Sequence, residues 1–241
     1  MLEVRSVRKR FGSVIAVDGI SFAAPDGQIT GLLGANGAGK TTTLAMIGGV
    51  LAPDDGAIEI DGADVRRSLD RRSRLGALLD HRSLYSRLTA RENVRYFGEL
   101  HGLSGPDLDE RVSQTLSLLG LEALSDRRTA GFSQGERMKV ALARATVHGP
   151  RNLLLDEPTS GLDIPAVRAL RGWLSEMRDR GMCILFSSHI LDDVRALCDR
   201  VVVISNGRVA AVGTPDEICR QNDCDSLEDA FVRLTIQGMP A

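Results

Sequence analysis

One run of nine residues carries the strongest chemical signal in the chain: Gly34-Ala35-Asn36-Gly37-Ala38-Gly39-Lys40-Thr41-Thr42. Its G-x-x-x-x-G-K-T spacing suits a loop that wraps phosphate. Small residues let successive backbone N–H groups turn inward around phosphate oxygens. A helix beginning near Lys40 then aims the positive end of its dipole at the same anion. The Lys40 ammonium would reach the β- and γ-phosphates of a nucleotide, and the Thr41 hydroxyl would ligate Mg²⁺. Only Lys9, Lys40 and Lys139 are lysines among 30 basic residues, so a lysine at this place does not follow from composition.

A second signal is Leu153-Leu154-Leu155-Asp156-Glu157, an apolar strand ending in adjacent carboxylates. Successive strand side chains point to opposite faces, so the two acids cannot share one role. Asp156 suits holding Mg²⁺, usually through water, and Glu157 suits orienting or deprotonating an attacking water. Alone, such a pair is as readily a solvated strand end; beside a phosphate loop it reads as chemistry. Ser187-Ser188-His189 follows another apolar run. A histidine after a strand is usually a cap or a surface residue. At the C-terminal edge of a parallel sheet, where ligands gather, His189 could contact the γ-phosphate and the attacking water.

These residues need a sheet whose strands end together. Short apolar runs alternating with amphipathic stretches predict an α/β chain with a mostly parallel sheet. Strands are expected at 2–7, 17–24, 28–33, 57–60, 152–155, 183–187, 201–204 and 208–212. Helices are expected at 40–50, 90–100, 108–119, 166–180 and 191–198. From about residue 84 strand texture gives way to helical periodicity, placing a helical insert at about 84–148. Thr89 with Glu92 three residues on reads as a capping box for the first insert helix. A helical tail is expected at about 214–236, the whole 1–241 forming one domain without internal repeats.

Composition removes several classes. The 241 residues are 43% hydrophobic and 26% charged, which is ordinary globular composition. A formal net charge of −2 gives no overall field to pull the chain onto nucleic acid or anionic lipid, so no nucleic-acid partner is expected. No window approaches 18 consecutive apolar residues, and the N-terminus lacks the apolar core of a secretory signal. The four cysteines, Cys183, Cys198, Cys219 and Cys224, have no C-x-x-C spacing and suit a reducing cytoplasm.

Two further segments carry a family resemblance. Phe132-Ser133-Gln134-Gly135-Glu136, with the helix-forming run that follows to Ala145, resembles the signature motif of ATP-binding cassette (ABC) ATPases. Pro158-Thr159-Ser160-Gly161-Leu162-Asp163 resembles their D-loop. Together with the phosphate loop, the order and spacing of these motifs cover nearly the whole chain. The resemblance implies a P-loop NTPase fold of the ABC type: a RecA-like parallel-sheet core, an N-terminal antiparallel β portion and a helical insert. It implies an ATPase using ATP and Mg²⁺. His189 stands at the family's switch histidine and Phe11 at its adenine-stacking aromatic, an ordinary core phenylalanine being the alternative. The resemblance implies that Ser133, Gly135 and Asp163 complete a site on a second, identical cassette, arranged head to tail in an ATP-dependent dimer.

The chain departs from the family at Phe132, Gln134 and Glu136, where the signature is usually Leu-Ser-Gly-Gly-Gln. Asp80 replaces the usual Q-loop glutamine; a carboxylate there can ligate Mg²⁺ but cannot donate a hydrogen bond when ionised. Residues 80–98 look most like ATPase subunits of sodium-export and related efflux systems. The function implied is the ATP-hydrolysing subunit of a transporter, driving a separately encoded membrane permease from the cytoplasmic face of the inner membrane. A soluble ABC ATPase acting on nucleic acid or ribosomes is the alternative, disfavoured by a single cassette with no heptad insert. A nucleotide-binding module without turnover has no need of Glu157.

Overall fold

Apolar runs such as Leu153-Leu154-Leu155 and Val201-Val202-Val203-Ile204 belong to strands covered on both faces, which leaves no position for a polar alternation. The structure is a computed structural model and describes residues 1–65, 74–79 and 84–236. Strands β1 (Leu2–Phe11), β2 (Val14–Ala24), β4 (Asp55–Ile60) and β5 (Ala63–Asp64) form an antiparallel sheet in the order β2-β1-β4-β5. A second sheet runs β10-β9-β3-β8-β7-β6, built from β3 (Ile29–Leu33), β6 (Leu75–Leu78), β7 (Asn152–Asp156), β8 (Cys183–Ser188), β9 (Arg200–Ser205) and β10 (Arg208–Gly213). Its pairings are parallel except for β10, which returns antiparallel along β9.

Alternation along these strands sorts the core into two layers. Leu32, Leu154, Leu185 and Val202 pack with the antiparallel sheet and helix α1 (Lys40–Ile47). Leu33, Leu155, Phe186 and Val203 face the other helices. These are α2 (Ala90–Leu100), α3 (Gly105–Leu118), α4 (Gln134–Thr146), α5 (Ile164–Asp179), α6 (Leu191–Leu197), α7 (Pro215–Gln221) and α8 (Leu227–Ile236). A fully buried side chain such as Phe186 contributes about 1.5–3 kcal/mol relative to exposure.

Several boundaries differ from the sequence reading. β1 continues to Phe11 and β2 begins at Val14, joined through Gly12-Ser13, because backbone pairing persists where side-chain alternation has lapsed. β4 starts at Asp55 rather than 57. There Gly56 lies so close to β1 that a Cβ would stand 2.5 Å from the carbonyl oxygens of Arg5 and Ser6. Helix α1 stops at Ile47, since Gly48 caps it and Gly49 turns with a φ of +71°. Helix α3 starts three residues before 108, with Pro106 in its first turn, where proline's missing N–H costs nothing. The capping box of α2 is as expected: Glu92 N–H donates to Thr89 Oγ1 at 3.1 Å and Thr89 N–H to Glu92 Oε2 at 2.8 Å.

Beyond the C-terminal ends of α2 and α4, the imidazoles of His101 and His148 stack with centroids 3.6 Å apart, and His148 Nε2 lies 3.3 Å from the Leu75 carbonyl. Burial, and then the neighbouring His101, lower the pKa of His148 from 6.5 to about 4. Between those values the unfolded chain binds more protons than the folded one. Stability is therefore fully present above pH 6.5 and declines as pH falls toward 4. His148→Phe, which keeps a stacking ring without the titration, should remove up to about 3 kcal/mol of that decline. Denaturant midpoints of both proteins at pH 7 and pH 4.5 measure it; equal slopes would contradict the assignment.

Candidate active site

The parallel register decides which loops meet. Leu33 of β3 faces Ser188 of β8, and Asp156 of β7 faces Ser187. The C-terminal ends of three adjacent strands are therefore level, and the residues that follow them share one edge of the sheet. This is the edge at which open parallel sheets bind ligands.

The loop after β3 is braced from outside by backbone. Gly207 N–H donates to the Ala38 carbonyl at 3.0 Å, and Ala38 N–H to that of Ala35 at 3.1 Å. A Cβ at Gly34 would stand 2.6 Å from the Ile204 carbonyl oxygen, and one at Gly39, whose φ is +107°, 2.6 Å from that of Ala16. Only glycine fits either place. Ala35, Asn36 and Gly37 are exposed, as is Thr41, whose hydroxyl has no protein partner among the described residues, while Thr42 is half-buried. Lys40 is buried to 4% exposure and donates to the carbonyls of Gly34 at 2.8 Å and Ala35 at 3.2 Å. Burial lowers its pKa, against the opposing pull of Glu157 and Asp156.

The two acids make different contacts, but not through strand alternation, since Glu157 lies just past the end of β7 rather than on it. Its φ of +46° places a non-glycine residue in the left-handed region, a strain that usually persists only where surroundings enforce it. Here Ser187 does so: its hydroxyl accepts the Glu157 N–H at 3.0 Å and donates to Asp156 Oδ1. Glu157 Oε1 lies 3.8 Å from Lys40 Nζ and 3.0 Å from His189 Nδ1. An ionised carboxylate only accepts, so in this contact Nδ1 carries the proton. A carboxylate held between an ammonium and an imidazole, at the mouth of a phosphate loop, can take a proton from water. The sequence offered no sign of Ser187's part, since a serine in a buried strand has no distinguishing spacing.

Phe11 is half exposed, with Lys9 Nζ 5.7 Å from its ring centroid, and so is not a core residue. It sits at the end of β1, paired with Val14 of β2, the strand whose Ala16 carbonyl lies against Gly39. Ser133, Gly135 and Asp163 are held elsewhere. Ser133 caps α4, accepting from Glu136 N–H at 3.2 Å, while Glu136 Oε2 accepts from Ser133 N–H at 2.7 Å. The departure at Glu136 thus completes a capping box. Gln134 Nε2 donates to the Ser160 carbonyl at 3.1 Å, and Asp163 caps α5 through Ala166 N–H at 2.9 Å. Among the described residues none of these three has a hydrogen bond to the 34–42 loop. Asp80 lies outside the described residues.

The oxygen donors fit Mg²⁺. Thr41 offers a hydroxyl and Asp156 a carboxylate, and no group of three or more His, Cys, Asp or Glu able to hold a metal occurs among the described residues. Mg²⁺ keeps much of its water and is typically held by one or two carboxylates together with substrate phosphates.

Residues 17–160 match the family model described as ABC transporter. The chain is 39% identical to the ABC transporter ATP-binding protein NatA of Bacillus subtilis (strain 168), over 94% of this chain and 93% of NatA. It is 38% identical to the Nod factor export ATP-binding protein I of Paraburkholderia xenovorans (strain LB400), over 94% of this chain and 75% of that protein. A solved structure described as the ATP-binding subunit of an ABC transporter superposes with a TM-score of 0.87 at 33% identity, covering 97% of this chain and 99% of the other.

Proposed function

Because the chain belongs to the ABC transporter family, as an ATP-hydrolysing ATP-binding subunit, we propose that Lys40, Glu157 and His189 carry out the hydrolysis and that it drives a separate membrane permease. The observation that carries this reading is the Glu157 carboxylate standing 3.8 Å from Lys40 Nζ and 3.0 Å from His189 Nδ1. Lys40 exchanges the Gly34 and Ala35 carbonyls for β- and γ-phosphate oxygens. The N–H groups of Gly34 to Thr42 cradle the phosphates, and Phe11 stacks on the adenine. Glu157 accepts a proton from the water that attacks the γ-phosphorus, as the bond to the β-phosphate oxygen breaks. His189 holds the carboxylate by its Nδ1–H. Mg²⁺ held by Thr41 and Asp156 would neutralise charge on the phosphates. Asp80, in place of the family's glutamine, would sense that ion and the γ-phosphate.

Ser133 and Gly135 open a helix whose N–H groups form an anion site. In a head-to-tail dimer they would meet the γ-phosphate bound by the other cassette, with Asp163 beside them. Permease docking falls to residues 84–89. Asn93, fully buried, fixes that turn by donating to the carbonyls of Tyr85 at 3.1 Å and Thr89 at 2.9 Å and accepting from Tyr85 N–H at 3.0 Å. Tyr85 and Tyr96 stay 47% and 40% exposed on this face, their rings 5.5 Å apart. No described helix is long and apolar enough to cross a membrane, so attachment to the inner membrane would come through the permease. Efflux, of sodium or another cargo, is the direction that the likeness of residues 80–98 and the name of the Nod factor export relative support.

Purifying the tagged chain from its native membranes tests the reading. A single multi-spanning protein should accompany it and stimulate its ATP turnover. Recovery with ribosomes or nucleic acid in place of such a protein would overturn the permease assignment.

A further inference from the structure

Glu157 and His189 meet from two separate loops, the Glu157 side chain 28% and that of His189 44% exposed. Such a contact has little of its own to hold it, because an exposed side chain must give up rotamer freedom to keep one geometry. A buried bond lies just behind it. Asp193 of α6 is 3% exposed and uses both carboxylate oxygens: Oδ2 accepts from Thr159 Oγ1 at 2.5 Å and Oδ1 from Arg171 Nη2 at 2.6 Å. Thr159, 5% exposed, stands two residues after Glu157, and Asp193 stands four residues after His189.

These bonds close a ring. From Glu157 the chain leads to Thr159, which is tied to Asp193. Helix α6 leads back from Asp193 to His189, which touches Glu157. The turn within the ring is stiff, since Ser160 N–H donates to the Glu157 carbonyl at 3.1 Å and Leu162 N–H to that of Thr159 at 3.2 Å. Gln134 of α4 bonds the Ser160 carbonyl, so the helix begun by Ser133 pulls on the same turn. Asp193 touches no reacting atom, yet it sets the spacing of two residues that do.

We infer that Asp193 is a positioning residue: through Thr159 it holds His189 against Glu157, and it passes displacement of the 158–163 turn to that pair. The inference rests on Glu157 acting as the base. When the turn is displaced, the Thr159–Asp193 bond carries α6 with it and the His189–Glu157 distance changes. A second cassette arriving against the turn would thus be felt at the base.

Thr159→Val keeps size and branching but removes the hydroxyl, leaving the Asp193–Arg171 pair intact; Thr159→Ser restores the hydroxyl. Steady-state MgATP turnover, its pH profile and the melting temperature are measured for both, with Glu157→Gln alongside. Thr159→Val should lower kcat about tenfold with KM for ATP within twofold, because the base is displaced and the phosphate loop is not. The acid limb of its pH–rate profile should shift, and Thr159→Ser should recover most of the rate. An unchanged kcat and pH profile for Thr159→Val overturns the inference, as does a loss that follows melting temperature and is not rescued by serine. Wild-type turnover by Glu157→Gln would instead remove the base assignment itself.

Discussion

Glu157→Gln is expected to lower steady-state ATP hydrolysis at least about 100-fold while leaving ATP binding intact or tighter. The substitution is nearly isosteric, so it keeps the backbone at a φ of +46° and the N–H bond to Ser187. The amide oxygen can still accept from His189 Nδ1, but an amide cannot take a proton from water at neutral pH. The phosphate loop is untouched. A negative charge near the γ-phosphate is lost, and with it some repulsion of the nucleotide. The expected signature is ATP that stays bound and unhydrolysed, read as phosphate release against retained nucleotide. Hydrolysis at the wild-type rate would end the role of Glu157 as base.

Lys40→Ala should fail earlier, at binding. Charge-assisted hydrogen bonds to phosphate contribute about 1.5–3 kcal/mol, so ATP affinity should drop roughly 10- to 150-fold, with hydrolysis falling further. The fold should tolerate the change. The variant gives up donation to the Gly34 and Ala35 carbonyls at 2.8 and 3.2 Å, but it also removes a cation that burial already disfavours. Calorimetric titration with MgATP separates the two variants: Glu157→Gln binds and does not turn over, whereas Lys40→Ala does neither well. Full affinity in Lys40→Ala would contradict the placement of its ammonium on the phosphates.

What could be read from the sequence were the features governed by local rules. The phosphate loop is legible because glycine spacing and a lysine at a helix start are requirements of adjacent backbone. The capping box at Thr89 and Glu92 is a four-residue pattern. The acids at the end of β7 follow an apolar run whose burial on both faces is itself a sequence property. Tertiary relations were not legible. Ser187 enforces the geometry of Glu157 from 30 residues away, and Thr159 meets Asp193 across 34. No spacing rule links such pairs. The signature departure at Glu136 looks anomalous as a family motif and ordinary as the third residue of a capped helix. Helix ends moved where glycine or proline outweighed apolar periodicity, at Gly48 after α1 and Pro106 in α3.

In the proposed mechanism ATP is hydrolysed at a site completed by two head-to-tail cassettes, with Glu157 as base. The most direct test is the mass of Glu157→Gln in MgATP by light scattering on a sizing column, with bound nucleotide counted in the same peak. A species of twice the chain mass holding one intact ATP per chain, reverting to monomer when nucleotide is removed, is the expected result. A monomer that carries its ATP at every concentration tested would contradict it.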